Sequence, residues 1–184
     1  MACGSDALRW ALIGYMAQGR QINLDIGRVV TARQFCNKIW QAARFTLMHL
    51  DRQNAEGALR TDPLPRLATV EELLVGLSTG GAAVSGLPLG QRWLLSRLAH
   101  AAEACEDGLE GFNLAGASGA AQRFLLNEVC DEYIEMTKLA LHGKTSSLVG
   151  GKEEASAVLY LGLHSSLRLL HPFLPFGEFH YELI

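Results

Sequence analysis

Apolar residues recur at helical spacing along almost the whole chain while strand alternation is nearly absent, and this periodicity restricts the fold more than any other feature. The longest helical stretch opens at Asp25 and runs to about Arg52. Before it, Ser5-Asp6 caps a segment over 7–18 whose Leu8, Leu12 and Tyr15 keep helical spacing, and Gly19 follows. A connecting stretch over 53–68 holds Gly57, Pro63 and Pro65. Thr69 then opens a short helix with Glu71 and Glu72 in its first turn, and residues 76–86 form a Gly/Ser/Thr-rich loop. Further helices are predicted over about 89–109, 120–141 and 153–170, the last stopped by Pro172 and Pro175. Residues 113–116 read as a break or a helix-start turn. The expectation is an all-α chain: one domain, a helical bundle of five long or moderate helices and a short one.

Composition places this bundle in water. Of the 184 residues, 49% are apolar and 19% charged, and charges interrupt the apolar runs well short of the ~20 residues a membrane span needs. The N-terminus lacks the basic leader and apolar stretch of a signal peptide. Cys3, Cys36, Cys105 and Cys130 lie far apart with no Cys-x-x-Cys pair, which argues against zinc and a disulfide framework and for a reducing compartment. Cys36 and Cys130 fall within apolar helical patterns and are expected to be buried thiols. The net charge of −3 does not advertise nucleic-acid binding, but its distribution is uneven. Residues 1–66 hold nine Lys and Arg against five Asp and Glu, a balance of +4; residues 67–184 hold seven against fourteen, a balance of −7. A basic N-terminal third can carry a phosphate-facing surface even on an acidic chain.

No catalytic constellation is legible. Gly143-Lys144-Thr145 resembles the end of a phosphate-binding loop, but that motif needs a glycine where this chain has Lys138, and a preceding strand. The six histidines form no i, i+4 metal pair with a partnering Glu. His171, before Pro172, reads as a helix-ending residue near the negative helix terminus. No Ser or Cys stands in a nucleophile elbow.

The segment from Asp25 to Arg52 is the one that suggests binding. At about 100° per residue, Val29, Cys36, Trp40, Ala43 and Leu47 gather on one side, with Ile39 and Leu50 on the flank, and this stripe is expected to face the core. Opposite them, within roughly 60° of Lys38, fall Thr31, Gln34, Gln41, Phe45 and Arg52. An aromatic ring flanked by Lys and Gln suits an unpaired base: the ring stacks, the amides hydrogen-bond and the ammonium meets phosphate. Periodicity leaves a second reading open, in which Phe45 packs beneath a neighbouring element.

Several stretches carry a resemblance. Gly4-Ser5-Asp6-Ala7-Leu8-Arg9-Trp10 resembles the Gly-Thr/Ser-Asp-Ala-Leu-Arg-Phe segment of class I aminoacyl-tRNA synthetases for large aliphatic amino acids. Gln18-Gly19-Arg20-Gln21-Ile22-Asn23-Leu24-Asp25 is similar to the Gln-Gly-Arg-Asp-Ile-Asn-Leu-Asp run of the valyl-tRNA synthetases. The block from Phe35 to Phe45 resembles their Phe-Cys-Asn-Lys-Leu-Trp-Asn-Ala-x-Arg-Phe. Two later helices, around Arg92–Leu98 and Asn127–Tyr133, and the helix-ending His171-Pro172-Phe173-Leu174-Pro175-Phe176 extend the likeness to residue 176. It departs at Gly27, where the family has Lys or Arg; at Leu126, Val129 and Glu132, where the family has larger apolar or aromatic residues; and after Phe176.

The resemblance implies the anticodon-binding helical domain of that family, with residues 1–24 as its opening helix and loop, 25–176 as the bundle and 177–184 as an unmatched tail. It implies a tRNA-binding module for a valine acceptor, with Phe45 on anticodon bases and Lys38 beside it; the shared helical face adds Gln34, Gln41 and Arg52 as further contacts, and Arg28 stands in for the cation missing at Gly27. Asn37, Trp40, Arg44 and Arg97 fall on motif positions expected to be structural. The His-Ile-Gly-His and Lys-Met-Ser-Lys-Ser signatures are absent, so ATP is expected to belong to the parent enzyme and no cofactor to this chain. The catalytic domain of the parent chain is then a partner, the chain is expected to be a monomer, and the compartment is the cytoplasm or the mitochondrion. The corresponding domain of an isoleucyl, leucyl or methionyl enzyme, and a protein-interaction module of the same ancestry, are the alternative readings.

Overall fold

A computed structural model describes residues 3–16, 23–54 and 86–176, with side chains described outside 50–54. The short helix expected after Thr69 lies outside the described residues. The elements are α1 (Ser5–Tyr15), α2 (Ile26–Asn54), α3 (Leu89–Glu110), α4 (Leu114–Arg123), a π-helical segment (Phe124–Tyr133), α5 (Ile134–Leu141) and α6 (Lys152–Leu170). No strand forms among the described residues, and a lone bridge between Ser146 and Gly150 closes a loop. The fold is a helical bundle.

Local chemistry sets the helix ends. Gly4, not Ser5, is the N-cap of α1, and its φ of 81° is open to glycine at little cost. The Asp6 carboxylate instead accepts a hydrogen bond from the Phe176 backbone N–H at 3.4 Å, tying the start of α1 to the stretch beyond α6. Asp25 opens α2 as its spacing indicated, with Oδ1 accepting from Gly27 N–H at 2.8 Å. The alternatives at 113–116 resolve to a helix start: Asn113 Oδ1 accepts from Gly116 N–H at 3.0 Å, and α4 begins there rather than near residue 120. At the far end, Glu154 Oε2 accepts from Gly151 N–H at 2.9 Å before α6, which stops short of Pro172.

The rod from α4 through α5 is continuous, but its middle is wound more loosely. Ile134 N–H reaches back five residues to Val129 O, and this π-helical winding has no signature in the apolar spacing. It sets Phe124, Leu125, Val129 and Tyr133 fully inside the core. The smaller Val129 packs well here: a Cβ built on Gly162 of α6 would lie 3.6 Å from Val129 Cγ2 and 3.0 Å from Leu94 Cδ2 of α3. Three elements thus meet where one side chain is missing. Most of α6 is buried, with residues 155–163 shielded on both faces. A smaller cluster of Ala7, Ala11, Val29 and Ala32 joins α1 to α2.

Two expectations are corrected. The core stripe of α2 is Ala32, Phe35, Ile39, Ala42, Ala43 and Thr46, rotated roughly 70° from the one drawn through Trp40. Val29, Ile39 and Ala43 are buried as expected and Cys36 and Leu47 are half-buried, but Trp40 is 47% exposed. The large indole biased the count, while the true stripe is built from small residues whose burial carries little hydrophobic signal. Thr46 is tolerated there because its hydroxyl donates to Ala42 O at 3.0 Å. Cys130 and Cys36 are half-buried rather than buried, and Cys105 is the enclosed thiol.

Candidate nucleic-acid interface

Helix α2 carries the surface of interest because its sequence is one-sided in charge. Arg28, Arg33, Lys38 and Arg44 are its cations over 26–50, and no Asp or Glu stands between Asp25 and Asp51. A helix that buries a narrow stripe of alanines, Phe35 and Ile39 leaves most of its circumference to solvent, and Gln34, Lys38 and Gln41 are all exposed on one flank. The charge of Lys38 is felt at the π-helical segment. The Cys130 thiol is pushed up to about 11 by burial and then by Asp131, while the Lys38 ammonium pulls the other way. A thiol held that high is neutral and inert at neutral pH.

The expected contacts are not equally displayed. Phe45 shares the Lys38 flank by angle, but its ring is half-buried, packs on the core and stands 4.4 Å from the His49 ring at 59°. The ring is therefore neither a core side chain nor a fully displayed one. Arg28 is exposed at the other end of α2, its guanidinium 4.5 Å over the Tyr15 ring. Tyr15 in turn accepts the Asp25 N–H at 3.0 Å through its hydroxyl, so the Arg28 position is fixed through α1. The side chain of Arg52 lies outside the described residues. Asn37 and Arg44, expected to be structural, are exposed. Arg97 does pair between elements, with Nη2 at 2.7 Å from Glu128 Oε1, joining α3 to the π-helical segment.

Sequence reasoning missed the display of Trp40. The signal was present: Arg33, Asn37, Trp40 and Arg44 recur at helical spacing as a polar stripe with one aromatic. Beside that stripe lies a cleft of about 250 Å³, bordered by Arg33, Asn37 and Trp40, by the first turn of α1 including Asp6, and by Phe176. Among the described residues no cluster of His, Cys, Asp and Glu could hold a metal ion, and no helix is long and apolar enough to cross a membrane.

Comparison with known proteins gives this geometry a context. Residues 91–177 match the family model described as the anticodon-binding domain of tRNA ligase. The valine–tRNA ligase of Caenorhabditis elegans is 36% identical over 174 residues, covering 95% of this chain and 14% of that protein. The valine–tRNA ligase of Geobacter sulfurreducens is 38% identical over 173 residues, covering 94% and 17%, and that of Homo sapiens 35% over 174, covering 95% and 12%. A relative from Arabidopsis thaliana is named as a mitochondrial valine–tRNA ligase. The chain thus spans 12–17% of the length of these relatives, and their matching stretches include α2.

Proposed function

We propose a function from one premise, that the chain belongs to the family of anticodon-binding domains of tRNA ligases. It holds the anticodon stem and loop of a valine-accepting tRNA on the exposed side of α2, as part of a valine–tRNA ligase whose ATP-dependent chemistry is carried by other segments. The observation that carries this reading is the α2 surface free of acids over 26–50, with Lys38, Gln34 and Gln41 in solvent and the half-buried Phe45 ring at its edge. Cations give affinity for the phosphate chain, amides read base edges and a ring offers stacking. Arg28 extends the same helix toward α1 as a further phosphate contact, and Arg52 is assigned to the other end by its place in the sequence.

A salt-dependent titration with transcribed valine tRNA tests it. Binding should weaken steeply as salt rises, because each phosphate contact releases counterions. Lys38→Glu should weaken binding and lower the salt slope, whereas Lys138→Glu, Lys144→Glu and Lys152→Glu together should not. The reverse pattern would move the interface off α2. Isoleucine tRNA, titrated alongside, should bind more weakly.

A further inference from the structure

Arg28 is exposed near the start of α2, and its guanidinium is held 4.5 Å over the ring of Tyr15, the last residue of α1. The ring beneath it is itself fixed. Tyr15 is 5% exposed, and its hydroxyl accepts the Asp25 N–H at 3.0 Å just ahead of α2. Asp25 in turn holds the first turn of that helix, its Oδ1 accepting from Gly27 N–H. A side chain at Gly27 would crowd this cap, since a Cβ there would stand 3.2 Å from Asp25 Oδ1. The end of α1 and the start of α2 are thus joined around one arginine.

A guanidinium over an aromatic ring is held by its charge, and its N–H donors remain for another partner. Among the described residues no hydrogen bond or ion pair takes those donors up. The Asp25 carboxylate is engaged with Gly27 and makes no ion pair with Arg28, so the cation is not neutralised in place. The ring also orders a long, rotamer-rich side chain before any ligand arrives, which removes part of the ordering cost from binding. The planar fork of such a group matches the paired oxygens of a phosphate. The surroundings favour that ligand over a carboxylate, because α2 carries no Asp or Glu over 26–50. Lys38 stands ten residues further on, about 15 Å along the helix, where it meets a different phosphate of the same strand.

We propose that Arg28 and Tyr15 form a preset phosphate position at the α1 end of the tRNA-binding surface. Arg28 takes the phosphate, and Tyr15 is the positioning residue that aims it. The proposal rests on the tRNA-binding reading above and adds to it a residue of α1 that acts through Arg28.

The test is a titration with transcribed valine tRNA over a range of salt, run as a double-mutant cycle with a thermal melt of each variant. Arg28→Ala should weaken binding about tenfold and reduce the salt slope by about 0.7–0.9, the value of one phosphate contact. Arg28→Lys should keep the slope but recover only part of the affinity, because an ammonium lacks the fork. Tyr15→Leu should weaken binding about 2- to 5-fold while Arg28 is present, and have no further effect once Arg28 is alanine. Tyr15→Phe keeps the ring and should keep most of the affinity. Equal losses for Tyr15→Leu with and without Arg28 overturn the positioning role, and full affinity for Arg28→Lys overturns the fork. Should Tyr15→Leu not fold, the wild type decides: ring currents of Tyr15 should shift the Arg28 side-chain protons upfield by NMR, free and with tRNA bound, and loss of the shift on binding overturns the proposal. If Arg28→Ala melts lower but binds as the wild type does, while Lys38→Glu weakens binding, the arginine serves only the negative end of α1, whose last turn has no basic residue. This inference then fails and the function above stands. Absence of any tRNA binding by the wild type overturns both.

Discussion

Trp40 is more exposed and Phe45 more sheltered than spacing alone assigns them, and the difference is measurable. Phe45 is half-buried against the core, so Phe45→Ala should lose roughly 1–3 kcal/mol of stability, below the ~3–5 kcal/mol of a fully buried phenylalanine. Trp40→Ala should lose less, because much of the indole already meets water. Urea unfolding of both variants gives the comparison, and a larger loss for Trp40 would restore the original stripe. A second residue-scale expectation concerns His164, whose ring stacks 5.8 Å from that of Tyr160 on α6. Burial, and then Arg168, lower its pKa, so the unfolded chain takes up the proton first. Stability should therefore be full above the ordinary histidine value of about 6.5 and should fall as pH drops through it. Thermal melts across that range should show the fall, and His164→Asn should remove part of it. The polar character of the outer side of α2 was legible from type and spacing, but the direction each side chain takes was not. The core there is built from alanines and a threonine, and a count of large apolar residues passes over them.

At the scale of elements, helix starts at Asp25 and near residue 89, and the stop before Pro172, were legible because caps and prolines act locally. The π-helical winding was not, since it changes the rise and rotation of a rod without changing its composition. Close approaches were equally silent in sequence, and two glycines separate them from mere flexibility. A Cβ on Gly108 of α3 would stand 2.8 Å from Ala117 Cβ and 3.0 Å from Ala117 N, where α3 turns into α4. Gly108→Ala should destabilise by about 1–3 kcal/mol, crowding outweighing the roughly 1 kcal/mol that alanine gains in a helix. Gly119→Ala in α4 meets only the end of the Arg123 side chain at 3.4 Å and should be neutral or stabilising by up to about 1 kcal/mol. Denaturant midpoints for the pair check both signs, and a stable Gly108→Ala would mean that the α3–α4 corner is looser than its geometry.

For the whole molecule, charge is segregated by sequence: α2, free of acids over 26–50, against the acidic later helices, where Glu103, Glu106, Asp107 and Glu110 crowd the end of α3 and no cation stands in its last turn. A polyanion should bind on the α2 side only. Purified chain should also show no valine-dependent ATP–pyrophosphate exchange, because the nucleotide-binding signatures lie outside its sequence; exchange above background would overturn the proposed division of labour. The arrangement of α6 has a consequence in time. The helix that lines much of the interior is made after the other described helices, so during synthesis at about 5–20 residues per second those helices emerge before the partner on which they close. The basic surface of α2 is on the ribosome well before the core that positions it exists. Release of a chain ending before Lys152 should then yield a loosely collapsed species open to proteolysis rather than a shorter bundle, because the wall shared by α2, α3 and the π-helical segment would be missing.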